Sequence, residues 1–183
     1  MRKQFLLGLL LLASAAVPAW AYEQLALAGR PFSPPPPITR HLRFGDWQAQ
    51  CIAAGSLQNC AIGQVIFDSP GHAVLVNIAL EYQEGHGLMM GITLPLTSPY
   101  KVALTGNLGL AIDSAPLKTY AFRTCRQDGC IASFPVNEAL YNEFAGARSV
   151  KLSFTNLAGQ TVSIPWSMTG YYDARRLLER TRR

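Results

Sequence analysis

The chain has 183 residues, 49% of them hydrophobic and 15% charged, with 16 Lys and Arg against 11 Asp and Glu for a net charge of +5. That balance excludes an intrinsically disordered polymer, which would be poor in apolar residues and rich in charge. The length is that of a chain able to bury a core of its own.

The amino terminus opens with Met1-Arg2-Lys3-Gln4, continues as an uninterrupted apolar and small-residue run from Phe5 to Val17, and ends in Pro18-Ala19-Trp20-Ala21. This is the layout of a secretory signal peptide over residues 1–21, with Ala19 and Ala21 as the small residues that a signal peptidase accepts. Cleavage is expected after Ala21. The run is shorter than the roughly 20 residues a membrane span needs, and no cysteine follows it to carry a lipid anchor. Removing residues 1–21 takes Arg2 and Lys3 from the 16 basic residues, so 14 stand against 11 and the net charge falls to +3. No transmembrane segment is expected after cleavage, and export with so small a charge argues against nucleic acid as a partner.

Residues 22–41 contain Ser33-Pro34-Pro35-Pro36-Pro37, a polyproline-like arm that donates no backbone hydrogen bonds across its prolines. A single folded domain is expected over 42–183, starting near Leu42 or Phe44. A strand is expected from Phe44 to Cys51 and another from Cys60 to Phe67. Val74, Val76, Ile78, Leu80 and Tyr82 then share one parity, the period of a strand with one buried face. Further strands are expected over 88–94, 100–104, 108–112 and 117–124. The same alternation runs through Val150, Leu152 and Phe154, and through Val162, Ile164, Trp166 and Met168, with Asn156-Leu157-Ala158-Gly159 as the hairpin connection. Pro165 cannot donate to a ladder, so its strand belongs at an edge or carries a bulge. Two helices are expected. Asn137 caps the first, over Glu138–Phe144, with Leu140 and Phe144 facing the sheet and Gly146 ending it. The second covers 171 to about 181, with Ala174, Leu177 and Leu178 as its apolar stripe and Arg175, Arg176, Arg180, Arg182 and Arg183 around it. Arginines at a helix carboxyl end suit its dipole without a ligand. The fold class is therefore all-β, an antiparallel β-sandwich or barrel-like domain with one or two short helices, including a C-terminal helix.

Four cysteines, Cys51, Cys60, Cys125 and Cys130, in an exported chain read as two disulfides. Asp128-Gly129 between Cys125 and Cys130 is a tight-turn dipeptide that would place the two cysteines across a hairpin, with Cα atoms inside the roughly 4.4–6.8 Å window. Local pairing, Cys51 with Cys60 and Cys125 with Cys130, is the preferred one of three connectivities; the other two stay open at this point. The spacings are not those of a zinc site, and His41, His72 and His86 stand apart from one another. Neither cysteine pair has the C-x-x-C form of thioredoxin-like redox sites. No G-x-S-x-G, H-E-x-x-H or S-x-x-K motif occurs. Asp113-Ser114 has no histidine placed beside it by a motif, and Glu81 and Glu84 read as part of a polar turn. Trp47, Met89-Met90 and Tyr171-Tyr172 read as core or interface packing. No cofactor, metal or catalytic residue is expected, and the chain reads as a non-enzyme.

The order Phe44-Gly45-Asp46-Trp47, Cys51 and Cys60, Leu94-Pro95-Leu96, Phe122-x-x-Cys125 with Gly129-Cys130, and Val162-x-Ile164-Pro165 leading to Gly170-Tyr171 resembles the invasion associated locus B family over about residues 42–180. The resemblance implies a bacterial envelope protein, periplasmic or associated with the outer membrane, β-rich, without established catalytic residues, and in some members linked to host-cell entry. The expected partner is another envelope protein or component. The alternatives are a binder of a small envelope ligand or lipid, or a thiol-disulfide protein using Cys125 and Cys130.

Overall fold

The computed structural model describes residues 38–54, 57–69, 71 and 73–181. The signal-peptide reading, with Ala19 and Ala21, and the polyproline run lie outside these residues, as do His72, Arg182 and Arg183. Ten strands and two helices follow in the order β1 (Ile38–Phe44), β2 (Trp47–Ala54), β3 (Leu57–Phe67), β4 (Val74–Gln83), β5 (Gly87–Leu94), β6 (Asn107–Ile112), β7 (Lys118–Arg126), β8 (Gly129–Pro135), α1 (Glu138–Gly146), β9 (Val150–Thr155), β10 (Thr161–Trp166) and α2 (Tyr171–Arg180). The strands form one sheet in the order β1-β2-β3-β4-β5-β8-β7-β6-β9-β10, with every ladder antiparallel.

The period-two pattern decides which face goes inside. Val76, Ile78 and Leu80 of β4 are buried between exposed Asn77 and Ala79, and Val150, Leu152 and Phe154 of β9 are buried together with Ile164 and Trp166 of β10. β10 is the last strand of the sheet and pairs with β9 alone, so Pro165 removes no ladder bond from an interior strand. The carboxamide oxygen of Asn137 accepts from the Leu140 N–H at 2.9 Å and caps α1, whose Leu140 and Phe144 are buried. On α2, Tyr171, Ala174 and Leu178 are the buried side chains.

Three expectations need correction. The stretch Phe44–Cys51 is not one strand: Phe44 pairs with Trp47, and Gly45-Asp46, with Gly45 at φ 57°, is the two-residue turn of a hairpin. Its first arm, β1, already begins at Ile38, and its Thr39, His41 and Arg43 are as exposed as Arg40 and Leu42, so no alternation announced it. Residues 100–104 are no strand; a single bridge, Val102 with Asn156, is all the pairing they make, because their backbone groups bond to the β9–β10 hairpin instead.

The sheet rolls until its two ends meet. The ring of Trp47, at the start of β2, lies 5.8 Å from Trp166, at the end of β10, and 4.9 Å from Tyr171, while Phe144 reaches Trp166 at 5.2 Å. Backbone and side chains seal this contact without a ladder. Asp46 N–H donates to the Thr169 carbonyl at 3.1 Å, Trp47 Nε1 to the Ser167 carbonyl at 3.0 Å, and the Ser167 hydroxyl to the Asp46 carboxylate at 2.6 Å. Gln64, 4% exposed on β3, donates through Nε2 to both the Asp46 and Ser167 carbonyls. Gly170, at φ 86°, lies so close under the Phe44 carbonyl that a Cβ there would collide with it. The aromatic cluster thus sits under a lid of its own hydrogen bonds, which is what a barrel-like closure of an open sheet requires.

Two measurements check this account. Gly170→Ala meets both a left-handed backbone and the Phe44 carbonyl, so urea denaturation should show a loss of roughly 3 kcal/mol or more, whereas Gly159→Ala, at φ 78° with open space around it, should lose only about 1 kcal/mol. Burial, partly offset by the charge of Arg175, pushes the Tyr171 phenol up to about 12. A folded-state value above the unfolded one of about 10 means that stability is fully present below pH 10 and is lost as pH rises toward 12, by up to about 3 kcal/mol. Tyr171→Phe should flatten that alkaline loss; since the hydroxyl is buried without a hydrogen-bond partner, it should not destabilise at neutral pH.

Candidate interaction surface

Both cysteine pairs face each other across antiparallel ladders. Cys51 is in register with Cys60 between β2 and β3, and Cys125 with Cys130 between β7 and β8. Each pair is joined, with Cα atoms 4.0 Å apart. That is somewhat closer than the expected window and nearer the roughly 4.5 Å class of directly opposed ladder pairs than the roughly 5.5 Å one. The surroundings differ. Cys51 and Cys60 are 1% and 8% exposed and belong to the core, whereas Cys125 lies on the surface with only Cys130 buried beneath it.

The second disulfide stands at one end of the sheet. Leu94 is in register with Cys130, and Gly129 packs on the backbone of Leu94 and Pro95, so the β7–β8 turn rests on the start of the β5–β6 connection. That connection, residues 95–106, is an ordered lobe. Ser98 N–H donates to the Pro95 carbonyl at 3.0 Å, Ala103 N–H to Thr155 at 2.8 Å, and Leu157 N–H to Lys101 at 2.9 Å. Lys101 Nζ turns back onto the Leu96 carbonyl at 2.6 Å. The neighbouring hairpin is held by Asn156, whose side-chain oxygen accepts from the N–H groups of Ala158 and Gln160. Polar main chain is thus turned inward and apolar side chains outward. Leu96 is 47% exposed, Tyr100 40%, Leu104 58% and Leu157 72%. Exposed apolar residues are ordinary when scattered; three on one hydrogen-bonded lobe with a fourth on the hairpin bonded to it are the composition of a contact surface.

The other residues singled out from the sequence have structural employment. Asp113, at φ 47°, accepts from the N–H groups of Arg148 and Ser149 and ties the end of β6 to the start of β9. Glu81 lies on β4 and accepts from Gln83, while Glu84 and His86 stand in the β4–β5 turn and His41 on β1. Trp47, Met90 and Tyr171 are core; Met89 is half-buried and Tyr172 exposed. Arg175 lies 4.0 Å over the Tyr141 ring and bonds Glu179 at 3.0 Å, and Arg176 lies 5.8 Å from the Tyr172 ring. Arg175 therefore links α2 to α1, while Arg176 stays on its own helix. Among the described residues no cluster of three or more His, Cys, Asp or Glu is arranged to hold a metal, and no helix is long and apolar enough to cross a membrane. The apolar lobe itself went unread in the sequence, since Leu96, Tyr100 and Leu104 become neighbours of Leu157 only through the 101–157 and 103–155 bonds.

A model of the invasion associated locus B (IalB) protein family matches residues 47–179, from the Trp47 of the closure to α2. Among solved structures, the crystal structure of invasion associated protein B from Bartonella henselae is similar, with a TM-score of 0.63 and 16% identity, over 77% of this chain and 95% of that one. At that identity the likeness is one of fold. No curated protein matches the chain.

Because thiol-disulfide exchange needs access to a sulfur, a mild thiol reductant acting on the folded protein should open Cys125–Cys130 well before Cys51–Cys60. Alkylation of the released thiols followed by peptide mass spectrometry would read this; simultaneous opening of both bonds would contradict the difference in burial.

Proposed function

The chain belongs to the invasion associated locus B family, and on that premise we propose that it is a non-enzymatic binding module of the bacterial envelope, exported to the periplasm or to the outer membrane, that docks another envelope protein on the 95–106 lobe and the adjoining β9–β10 hairpin. The carrying observation is the set of four exposed apolar side chains, Leu96, Tyr100, Leu104 and Leu157, on backbone already satisfied by its own hydrogen bonds. A rigid surface loses little conformational entropy on association, so most of the apolar burial goes into affinity. A protein partner suits the lobe because Lys101 is its single charged side chain, and charge-poor apolar patches with an aromatic residue are the composition of interface centres.

Export is supported by the leader-like amino terminus and by two disulfides, which persist in oxidising compartments. The non-enzymatic reading is supported by the ties that Asp113 and Glu81 make, which leave neither carboxylate poised beside a nucleophile. The similar protein from Bartonella henselae is called invasion associated; carried to this chain, docking on the lobe would serve contact with a host cell.

A photoreactive side chain installed at position 157 in intact cells should give one discrete crosslinked product containing an envelope protein, and the same group at Thr39, on β1, should not. Burying two leucines contributes about 3 kcal/mol or more, so Leu96→Ser with Leu104→Ser should weaken capture at least a hundredfold while leaving the thermal midpoint within a few degrees. Equal capture from both positions, or capture indifferent to the serines, would refute docking on the lobe.

A further inference from the structure

β7 changes partners along its length. Its first residues pair with β6, from Lys118 with Leu110 to Ala121 with Asn107, and its last pair with β8, from Phe122 with Ala132 to Arg126 with Gly129. A register shift between Phe122 and Thr124 leaves Arg123 as the extra residue of a bulge, and above it β7 and β8 no longer pair. α1 lies across the gap. The result is a cleft of about 660 Å³ on the far side of the bulge from the 95–106 lobe, within the range of small-molecule sites.

Its walls have two characters. Half-buried Tyr120 stacks on buried Phe134 with centroids 3.5 Å apart and planes 8° from parallel, and buried Leu140 of α1 lines the same cleft, so the apolar floor is presented mainly through the Tyr120 ring. At one end Lys118 and Glu143 are joined at 2.7 Å and neutralise each other. Burial pushes the Tyr120 phenol up, against the pull of Lys118. At the other end Arg123 donates through Nε to the Ser133 carbonyl at 3.3 Å, which leaves the Nη groups of its fork for another acceptor. The cleft lining thus carries one cation without a compensating carboxylate. Apolar wall and unbalanced guanidinium together describe the ligand.

We propose that the cleft between β7, β8 and α1 binds a small amphipathic anion, its apolar chain or ring lying on Tyr120, Phe134 and Leu140 and its acidic head on Arg123. Guanidinium forks take carboxylate or phosphate oxygens in pairs. This site is independent of the lobe and stands or falls without it.

Decanoate titrated into the full chain by calorimetry tests the proposal, with decanol as the neutral probe of the same chain length. Saturable one-to-one binding of decanoate, tighter than that of decanol and weakened by salt, is expected. Arg123→Gln should weaken decanoate at least tenfold and leave decanol unchanged. Ala139→Phe, an exposed position on α1 that lines the cleft, should abolish binding of both probes, with near-ultraviolet circular dichroism confirming an intact fold. Failure of the wild-type chain to bind decanoate saturably would overturn the proposal, as would decanoate binding that survives both substitutions.

Discussion

The contact of Asp46 and Trp47 with Ser167, Thr169 and Gly170 is the constraint on which the rest of the molecule depends. A ten-stranded antiparallel sheet has two free ends, and its inner face stays wet unless those ends approach each other. Here the approach is made by rings and caps. Trp47, Trp166, Tyr171 and Phe144 fill the seam, and the Trp47 Nε1, the Gln64 amide nitrogen and the Ser167 hydroxyl bond across it to the Ser167 and Asp46 carbonyls and the Asp46 carboxylate, while Trp166 Nε1 and the Tyr171 hydroxyl stay buried without partners. Removing a buried tryptophan typically costs about 3–5 kcal/mol, a large part of the 5–15 kcal/mol that holds a domain. Gly45 and Gly170 follow from the same contact, since two backbones cross there without room for a side chain between them.

That closure sets where the surface is available for other work. The disulfide pair in the core, Cys51–Cys60, staples the strands just beyond the seam, and the seam occupies the β1–β2 turn. The remaining connections are free to differ. The β5–β6 segment uses its backbone on the β9–β10 hairpin and turns leucines outward, while the bulge at Arg123 breaks the β7–β8 ladder and opens a cleft beneath α1. One feature makes an exposed apolar surface, the other a concave one with a charge.

How much of this was legible in the sequence depends on what carried the signal. Strands with one wet face, such as β4, β9 and β10, announced themselves by alternation, and the edge position of β10 by Pro165. The first helix is marked by Asn137 and by the Leu140 and Phe144 spacing, although Gly146 is its last residue rather than its stop, and the second by the stripe of Ala174, Leu177 and Leu178. β1 is not, because both of its faces are exposed and alternation then has nothing to encode. Gly45-Asp46 was taken as strand interior because a glycine-first turn between two apolar residues resembles a strand with one small residue. Within the 95–106 lobe, residues 100–104 carry a strand-like pattern, yet make only the Val102–Asn156 bridge. Local patterns record burial of a residue's own element; they do not record which distant backbone will satisfy its N–H groups, and it is the 101–157 and 103–155 bonds that leave those leucines outside.

The seam joins residues some 120 positions apart in the chain. Contacts of such separation form late, since the loop they close must first lose its freedom. A nascent or newly delivered polypeptide of this design stays an unsealed ribbon until its last helix arrives, so the carboxyl terminus acts as the keystone, and a copy truncated before Tyr171 would expose an aromatic furrow for quality-control proteases to recognise.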